Sequence, residues 1–243
     1  MGHRVTTLNV NTIEPAGNTL TIGASGDTVV LADDVKANTY KDAGGNTLFV
    51  SNGSGVLSSV NAGFGDALKL LSTQTASNSA SISFTTQLTS TYKEYIFKFI
   101  NIDSGNDDVN FGFQVNASGQ SGYNETITSS TFRTYNFESG GTPVLTYFSN
   151  THQAQGTARQ MLSFSLDSTL AYSNMTGELH LFNPASTTYV KHFIAQTNDK
   201  TNNVRSESQF TGGYINVAAA ITNIQFTMSA GNFDGKIKMY GVA

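Results

Sequence analysis

Few residues in this sequence have types and spacings that could do chemistry. The densest acidic run, Asp103-Ser104-Gly105-Asn106-Asp107-Asp108, gathers three carboxylates and an amide around a glycine. Closely spaced oxygens on a tight loop are what Ca²⁺ needs. The spacing departs from the EF-hand loop and lacks its closing glutamate, so the run reads first as a solvated β-turn. The histidines are His3, His152, His180 and His192. Glu178-Leu179-His180 puts two ligating groups on one strand face, and His192 falls where a neighbouring strand could present it. A zinc site needs three or four convergent ligands, so these read as packing histidines, and neither a metal nor a cofactor is expected. Glu178 paired with Glu207 or Asp167 would resemble a glycosidase carboxyl pair, but no spacing singles out such a pair. There is no Gly-x-Ser-x-Gly elbow and no P-loop, so no catalytic residue is assigned and the chain is not expected to be an enzyme. Two tyrosines in polar loops are better candidates. Tyr123-Asn124 lies in Gln120-Ser121-Gly122-Tyr123-Asn124-Glu125, and Tyr172 with Asn174 lies in Leu170-Ala171-Tyr172-Ser173-Asn174. An exposed ring flanked by amides can stack on a sugar while the amides bind its hydroxyls. The alternative is that both rings cover the ends of a β-sandwich or an inter-subunit seam.

The elements that would position these residues follow from composition. Charged residues are 12% of the 243, about half the usual share, and Ser, Thr, Asn and Gly replace them. Hydrophobic residues at 38% still allow a core, and the Phe and Tyr residues concentrate after residue 90. The formal charge is −4, with basic residues scattered. That pattern argues against a nucleic-acid partner and against an anionic membrane surface. No apolar run reaches the roughly 18 residues of a membrane helix, so membrane insertion is not expected. Met1-Gly2 with Thr6 fits the letters of a myristoylation site, a short pattern that reads as coincidence. With no cysteine, neither disulfides nor thiolate chemistry enter the argument.

The organisation is set by a repeat. Gly17-Asn18-Thr19-Leu20-Thr21-Ile22 returns 28 residues later as Gly45-Asn46-Thr47-Leu48-Phe49-Val50. Each copy is followed by a Ser-Gly turn, at Ser25-Gly26 and Ser54-Gly55, and then by a second short apolar run, the later one including Val56-Leu57. A strand–turn–strand unit of this size cannot bury its own apolar face and needs neighbours to stack on. Copies from other chains could supply them. Residues 1–62 are therefore expected to form an extended β-repeat arm that anchors and oligomerises. Its assembly contacts would be Leu20, Ile22, Leu48, Val50, Val56 and Leu57, with partner strands held by main-chain hydrogen bonds.

Residues 66–243 read as a string of short strands separated by turn residues, the cadence of a sandwich or barrel. The predicted strands are Ala67–Ala76, Ala80–Thr86, Tyr92–Ile102, Val109–Ala117, Thr131–Phe137, Val144–Phe148, Gln160–Asp167, Thr176–Phe182, Val190–Thr197, Ser206–Tyr214, Ile221–Met228 and Gly235–Val242. Apolar and polar residues alternate in Ser81-Ile82-Ser83-Phe84, and in Phe111, Phe113 and Val115 with Gly112 and Gln114 between them. Period two puts one face on a core and the other in solvent. The one helix candidate is Phe64–Leu71, which is short enough to be strand instead. Lys98, Lys191 and Lys238 are candidate edge protectors, the favoured alternative being a solvated strand face.

The two-part layout resembles virion appendages of tailed bacteriophages, of the tail-fibre and head-fibre type. The N-terminal stretch Gly45 to Gly55 is similar to repeats that such proteins carry. The segments Leu70–Ala76, Ser81–Phe84 and Thr91–Phe97 resemble the start of a jelly-roll-like domain in phage structural proteins. The resemblance implies an all-β chain in which an N-terminal β-repeat arm precedes a jelly-roll-like β-sandwich. It implies a homotrimer located on the virion, docked to other virion proteins through the arm, with the sandwich facing outward for attachment to a host-surface glycan. A lectin-like carbohydrate-binding module and a capsid decoration protein are the alternatives, and a polysaccharide depolymerase is the least favoured. The resemblance carries over no catalytic residue.

Overall fold

The computed structural model describes residues 39–60, 67–168, 172–201 and 204–242. The chain divides into two compact units, Met1–Phe64 and Gly65–Ala243. Described residues of the first unit form an antiparallel meander of β1 (Thr39–Lys41), β2 (Thr47–Ser51) and β3 (Leu57–Val60), with β2 in the centre. The second copy of the repeat makes this meander. The Asp42 carboxylate closes the first turn by accepting from the Asn46 backbone N–H at 2.8 Å and from its carboxamide. Gly45 holds that turn at φ +81°, a conformation that costs a residue with a Cβ. The Asn52 side chain closes the second turn by accepting from Ser54 and Val56 N–H. Leu48 and Val50 alternate with Phe49, whose ring stacks on Tyr40 at 4.4 Å, so both faces of β2 carry apolar groups. Leu48 and Val50 are half-buried, while Val56 and Leu57 are more than half exposed. Leu20 and Ile22, expected as assembly contacts, lie outside the described residues, as does the first copy of the repeat.

The second unit is an all-β, jelly-roll-like sandwich of two unequal antiparallel sheets. Its strands are β4 (Leu68–Ser79), β5 (Ser81–Phe84), β6 (Glu94–Ser104), β7 (Phe111–Ala117), β8 (Ile127–Phe137), β9 (Val144–Tyr147), β10 (Gln160–Met161), β11 (Met175–Phe182), β12 (Lys191–Lys200), β13 (Arg205–Ile215), β14 (Ile221–Met228) and β15 (Phe233–Val242). The larger sheet runs β4-β15-β6-β11-β12-β13-β8-β9, and the smaller β10-β7-β14-β5. The chain crosses between sheets at β5, β6, β7 and β8 and again around β10 and β14, so the apolar runs alternate between two facing layers. Phe226 of β14 is the hub of the core. Its ring lies 5.3 Å from those of Phe97 and Phe99, 5.9 Å from Phe111 and 6.3 Å from Phe84. Such contacts contribute about 0.5–1.5 kcal/mol each beyond burial.

Strand β7 is buried on both faces. Phe111, Phe113 and Val115 enter the core. Gln114 on the other face donates to the Glu125 and Thr157 carbonyls at 2.8 and 3.0 Å, so loop chain closes over the small sheet. Gly112 permits this approach, because a Cβ there would collide with the Gln160 carbonyl.

Of the two readings of Phe64–Leu71, strand holds where the segment is described: Leu68–Leu71 open β4, paired with β15. Two expectations need correction. Gln160–Asp167 is a strand only at Gln160–Met161. Beyond it Leu162, Ser163, Ser165 and Leu166 are all buried, and chain buried on every side does not keep a two-faced alternation. None of the three lysines protects an edge. Lys98 and Lys238 lie on interior strands, and Lys191 is fully buried, its ammonium donating to the Tyr189, Val217 and Ala218 carbonyls at 2.7, 2.8 and 2.9 Å.

Candidate functional site on the outer sheet face

The large sheet is wider than the small one, and the half around β8, β12 and β13 is closed by the irregular chain of residues 148–168. Polar residues fill that half. Arg205, Glu207, Gln209 and Thr211 of β13 all turn inward, as do Thr197 and Asp199 of β12. Glu207 accepts from Arg133 at 2.8 Å and from Arg205 at 2.6 Å. The Arg133 guanidinium covers the Phe148 ring at 3.6 Å, and that of Arg205 covers Tyr135 at 4.2 Å. Planar, weakly hydrated guanidinia suit both the carboxylate and the rings. Burial, and then the Glu207 charge, push the Asp199 carboxyl well above its usual range. The Phe164 backbone and the two guanidinia oppose them with less effect.

The alternation that turns these charges in turns their neighbours out. On the outer face, register places Gln196, Phe210, Phe132 and Tyr147 side by side across four strands. The next row is Thr176, Asn198, Ser208, Thr134 and Leu145, and beyond it lie Lys200, Ser206 and Asn136. Phe132 and Phe210 stack at 4.9 Å with planes 8° apart, and Phe132 is 46% exposed. Tyr147 is 60% exposed. Three depressions of about 400, 290 and 320 Å³ follow the polar rows. Asn198 lines the first and second, and Asn136 and Ser206 line the second and third. They form one trough crossing the strands from β6 to β9, five strand spacings or ~24 Å.

The Asn198 amide donates to Ser206 Oγ and Ser208 Oγ at 3.0 Å each, which orients the floor of the trough. The carboxamides of Gln196 and Asn136 have no protein hydrogen-bond partner among the described residues. The charges at the two margins are paired within the protein: Lys98 with Glu178 at 3.3 Å, and Lys200 with Glu138 at 3.2 Å. Burial opposes ionisation of Glu178, but hydrogen bonds with His180 and Lys98 outweigh it and hold its carboxyl below the usual value. The trough therefore carries no net charge: amide and hydroxyl groups lie with these two ion pairs beside an aromatic ledge.

The predicted loop residues part company. Tyr172 is 60% exposed and stands at the trough's margin, its ring 3.8 Å from Lys200 Nζ, and Asn174 accepts from Lys200 N–H through its carbonyl at 3.1 Å. Tyr123 is half-buried, its N–H donating to Asn116 Oδ1 at 2.7 Å, and Asn124 beside it is exposed. This pair belongs to the sandwich end marked by Ala117 and Pro184, whereas Tyr172 precedes the other end of β11. The structure does not bring the tyrosines together. His192 does lie on the strand beside His180, but it packs on Tyr214 at 5.9 Å while His180 faces Glu94 at 2.6 Å. No group of three metal-ligating residues forms among the described residues. In the acidic loop, Asp107 accepts from Ser168 at 2.9 Å and Asp108 from Ser165 at 2.6 Å, so both hold the 165–168 chain. Burial pushes the Asp103 carboxyl up, the Ser104 backbone opposes, and Asp234 adds to the rise.

Sequence reasoning missed Gln196, Asn198, Phe132 and Phe210 as site residues. Their signal was positional: all are outward in strands whose inward residues are partly charged, so hydropathy pointed to the wrong face. The class of protein defined here is an all-β sandwich with a separate β-meander unit. Comparison with protein-family models, curated proteins and solved structures finds no match.

Proposed function

We propose that the chain is a structural subunit of a bacteriophage virion, a tail- or head-fibre appendage. It assembles as a homotrimer through its N-terminal arm and displays the sandwich outward for host-surface attachment. The observation that carries this reading is the contrast between the two units. The sandwich buries its own aromatic core, whereas the meander exposes Val56 and Leu57 and comes from a phrase the sequence repeats. Three strands this short enclose little apolar surface by themselves, and neighbouring copies would cover the exposed Val56 and Leu57. In a trimer, threefold presentation would add avidity to weak attachment.

Light scattering on the purified full chain tests the assembly. Three copies of 25.9 kDa give about 78 kDa, and that mass supports the trimer. A monomer mass that persists up to high micromolar concentration removes it. Removing residues 1–62 should leave a folded sandwich that no longer enters the particle, and incorporation of the truncated protein would move the docking surface to the sandwich.

A further inference from the structure

We infer that the trough across the outer face of the large sheet is a binding site for an extended neutral polysaccharide chain. The ledge carries Phe210, Phe132 and Tyr147 in register on three adjacent strands, and the parallel floor carries Asn198, Ser208 and Thr134. This inference deepens the attachment reading and rests on the sandwich being displayed outward.

Three observations select the ligand. The shape is a trough and not a pit: linked depressions span ~24 Å at about 4.8 Å per strand, which suits a linear chain better than a compact small molecule. The lining has no net charge: Lys98 and Lys200, in the first and second depressions, are paired with Glu178 and Glu138 at 3.3 and 3.2 Å, so an anionic chain would find no free cation there. The chemistry is divided: hydroxyl-rich ligands need amides and hydroxyls on one side and a flat apolar surface for their C–H faces on the other. Here these lie one residue row apart. The free carboxamides of Gln196 and Asn136 supply donors and acceptors on either side of the floor row, and the stacked pair Phe132–Phe210 supplies the platform.

The centre of the floor is also pre-oriented. Asn198 is held by two serine hydroxyls, so it has little side-chain entropy left to lose when a ligand binds, which favours affinity.

The test is affinity electrophoresis of the full chain through gels containing soluble neutral polysaccharides: a glucan, a mannan, a galactan and a polymer of N-acetylglucosamine derivatised to be soluble and uncharged. Alginate and heparin serve as acidic controls. Retardation by at least one neutral polymer is expected, with the acidic polymers without effect. Phe132→Ala and Gln196→Ala should each weaken retardation 3- to 10-fold, as expected for one ring or one amide contact, with the melting temperature unchanged for Gln196→Ala and lowered by only a few degrees for Phe132→Ala, which loses its stack on Phe210. Tyr123→Ala at the other end of the sandwich should leave retardation intact. Retardation by none of the neutral polymers overturns the site. So does loss of binding with Tyr123→Ala but not with Phe132→Ala. If Phe132→Ala instead lowers the oligomer mass and the wild type ignores every polymer, the face is covered by a second copy. Light scattering reads the trimer separately, so failure of the trimer and failure of the glycan site are distinguishable.

Discussion

Asp199 and Glu207 stand directly opposite each other across the β12–β13 ladder, and both are buried. Like charges in that position repel, and two guanidinia bind only one of the two carboxyls in hydrogen-bonding geometry. The structure accommodates the pair by placing Glu207 between Arg133 and Arg205 and by pushing Asp199 toward its neutral form.

That asymmetry has a pH signature. A carboxyl whose folded pKa is raised contributes stability that is fully present below its unfolded pKa of about 3.9. The contribution is lost as pH rises toward the raised folded value. Asp199→Asn should remove this decline. At pH 8 the variant should melt higher than the wild type, by about 2–4 °C for each kcal/mol recovered, while at pH 4 the two should converge. Thermal melts across pH 4–8 measure it, and a variant less stable than wild type at pH 8 would show that Asp199 is ionised and held by the arginines.

Glu207→Ala should act in the opposite sense. It strands two buried guanidinia, and breaking a buried ion pair by removing one partner costs about 3–5 kcal/mol. Chemical denaturation should show the full loss. A cost below about 1 kcal/mol would mean that water reaches both arginines.

Lys191 closes one end of the sandwich much as a bound cation would. Lys191→Ala leaves three carbonyls without their donor and opens a void where the aliphatic stem packed. The expected cost is about 3 kcal/mol or more. Lys191→Met keeps the stem and should recover the packing part but not the hydrogen bonds, so the order of stability should be wild type, methionine, alanine.

Leu48→Asp tests the arm. Leu48 is half-buried on the centre strand of the meander, and a charge in an apolar seam is costly to desolvate. Oligomer mass should fall while the sandwich melt stays in place. An unchanged mass would put Leu48 on the solvent side.

The strand content was legible from the sequence wherever one face is apolar. Ile221–Met228 was read with its observed limits, and β6, β11 and β15 came within two residues of theirs, because Tyr95-Phe97-Phe99, Leu179-Leu181 and Ile237-Met239 mark the buried side directly. In the polar half the strands were read, Ser206–Tyr214 to within one residue of each end of β13, but which face turns inward was not legible. Along β13 the inward residues are Arg205, Glu207, Gln209 and Thr211, and the outward ones include Phe210 and Tyr214. Hydropathy alone assigns such a strand to the wrong face. The charges are satisfied by partners on other strands and on the 148–168 chain, whose pairing no local pattern announces. For the same reason Tyr172 was found through its loop, while the ledge of Phe132 and Phe210 was hidden in strand interiors.

The unequal width of the two sheets divides the sandwich into regions held by different forces. One is bound by aromatic burial around Phe226. The other overhangs the small sheet and is bound by ion pairs, hydroxyl contacts and the looped chain of residues 148–168. Segments with fewer apolar contacts open at free energies below that of global unfolding. Amide hydrogens of β8 and β9 should therefore exchange through local openings sensitive to salt, while those of β6 and β14 wait for the whole molecule to unfold. The margin carrying Phe132 and Tyr147 would then be the part of the sheet that breathes, so the surface facing outward has its own cooperative unit, adjustable without loosening the core behind it.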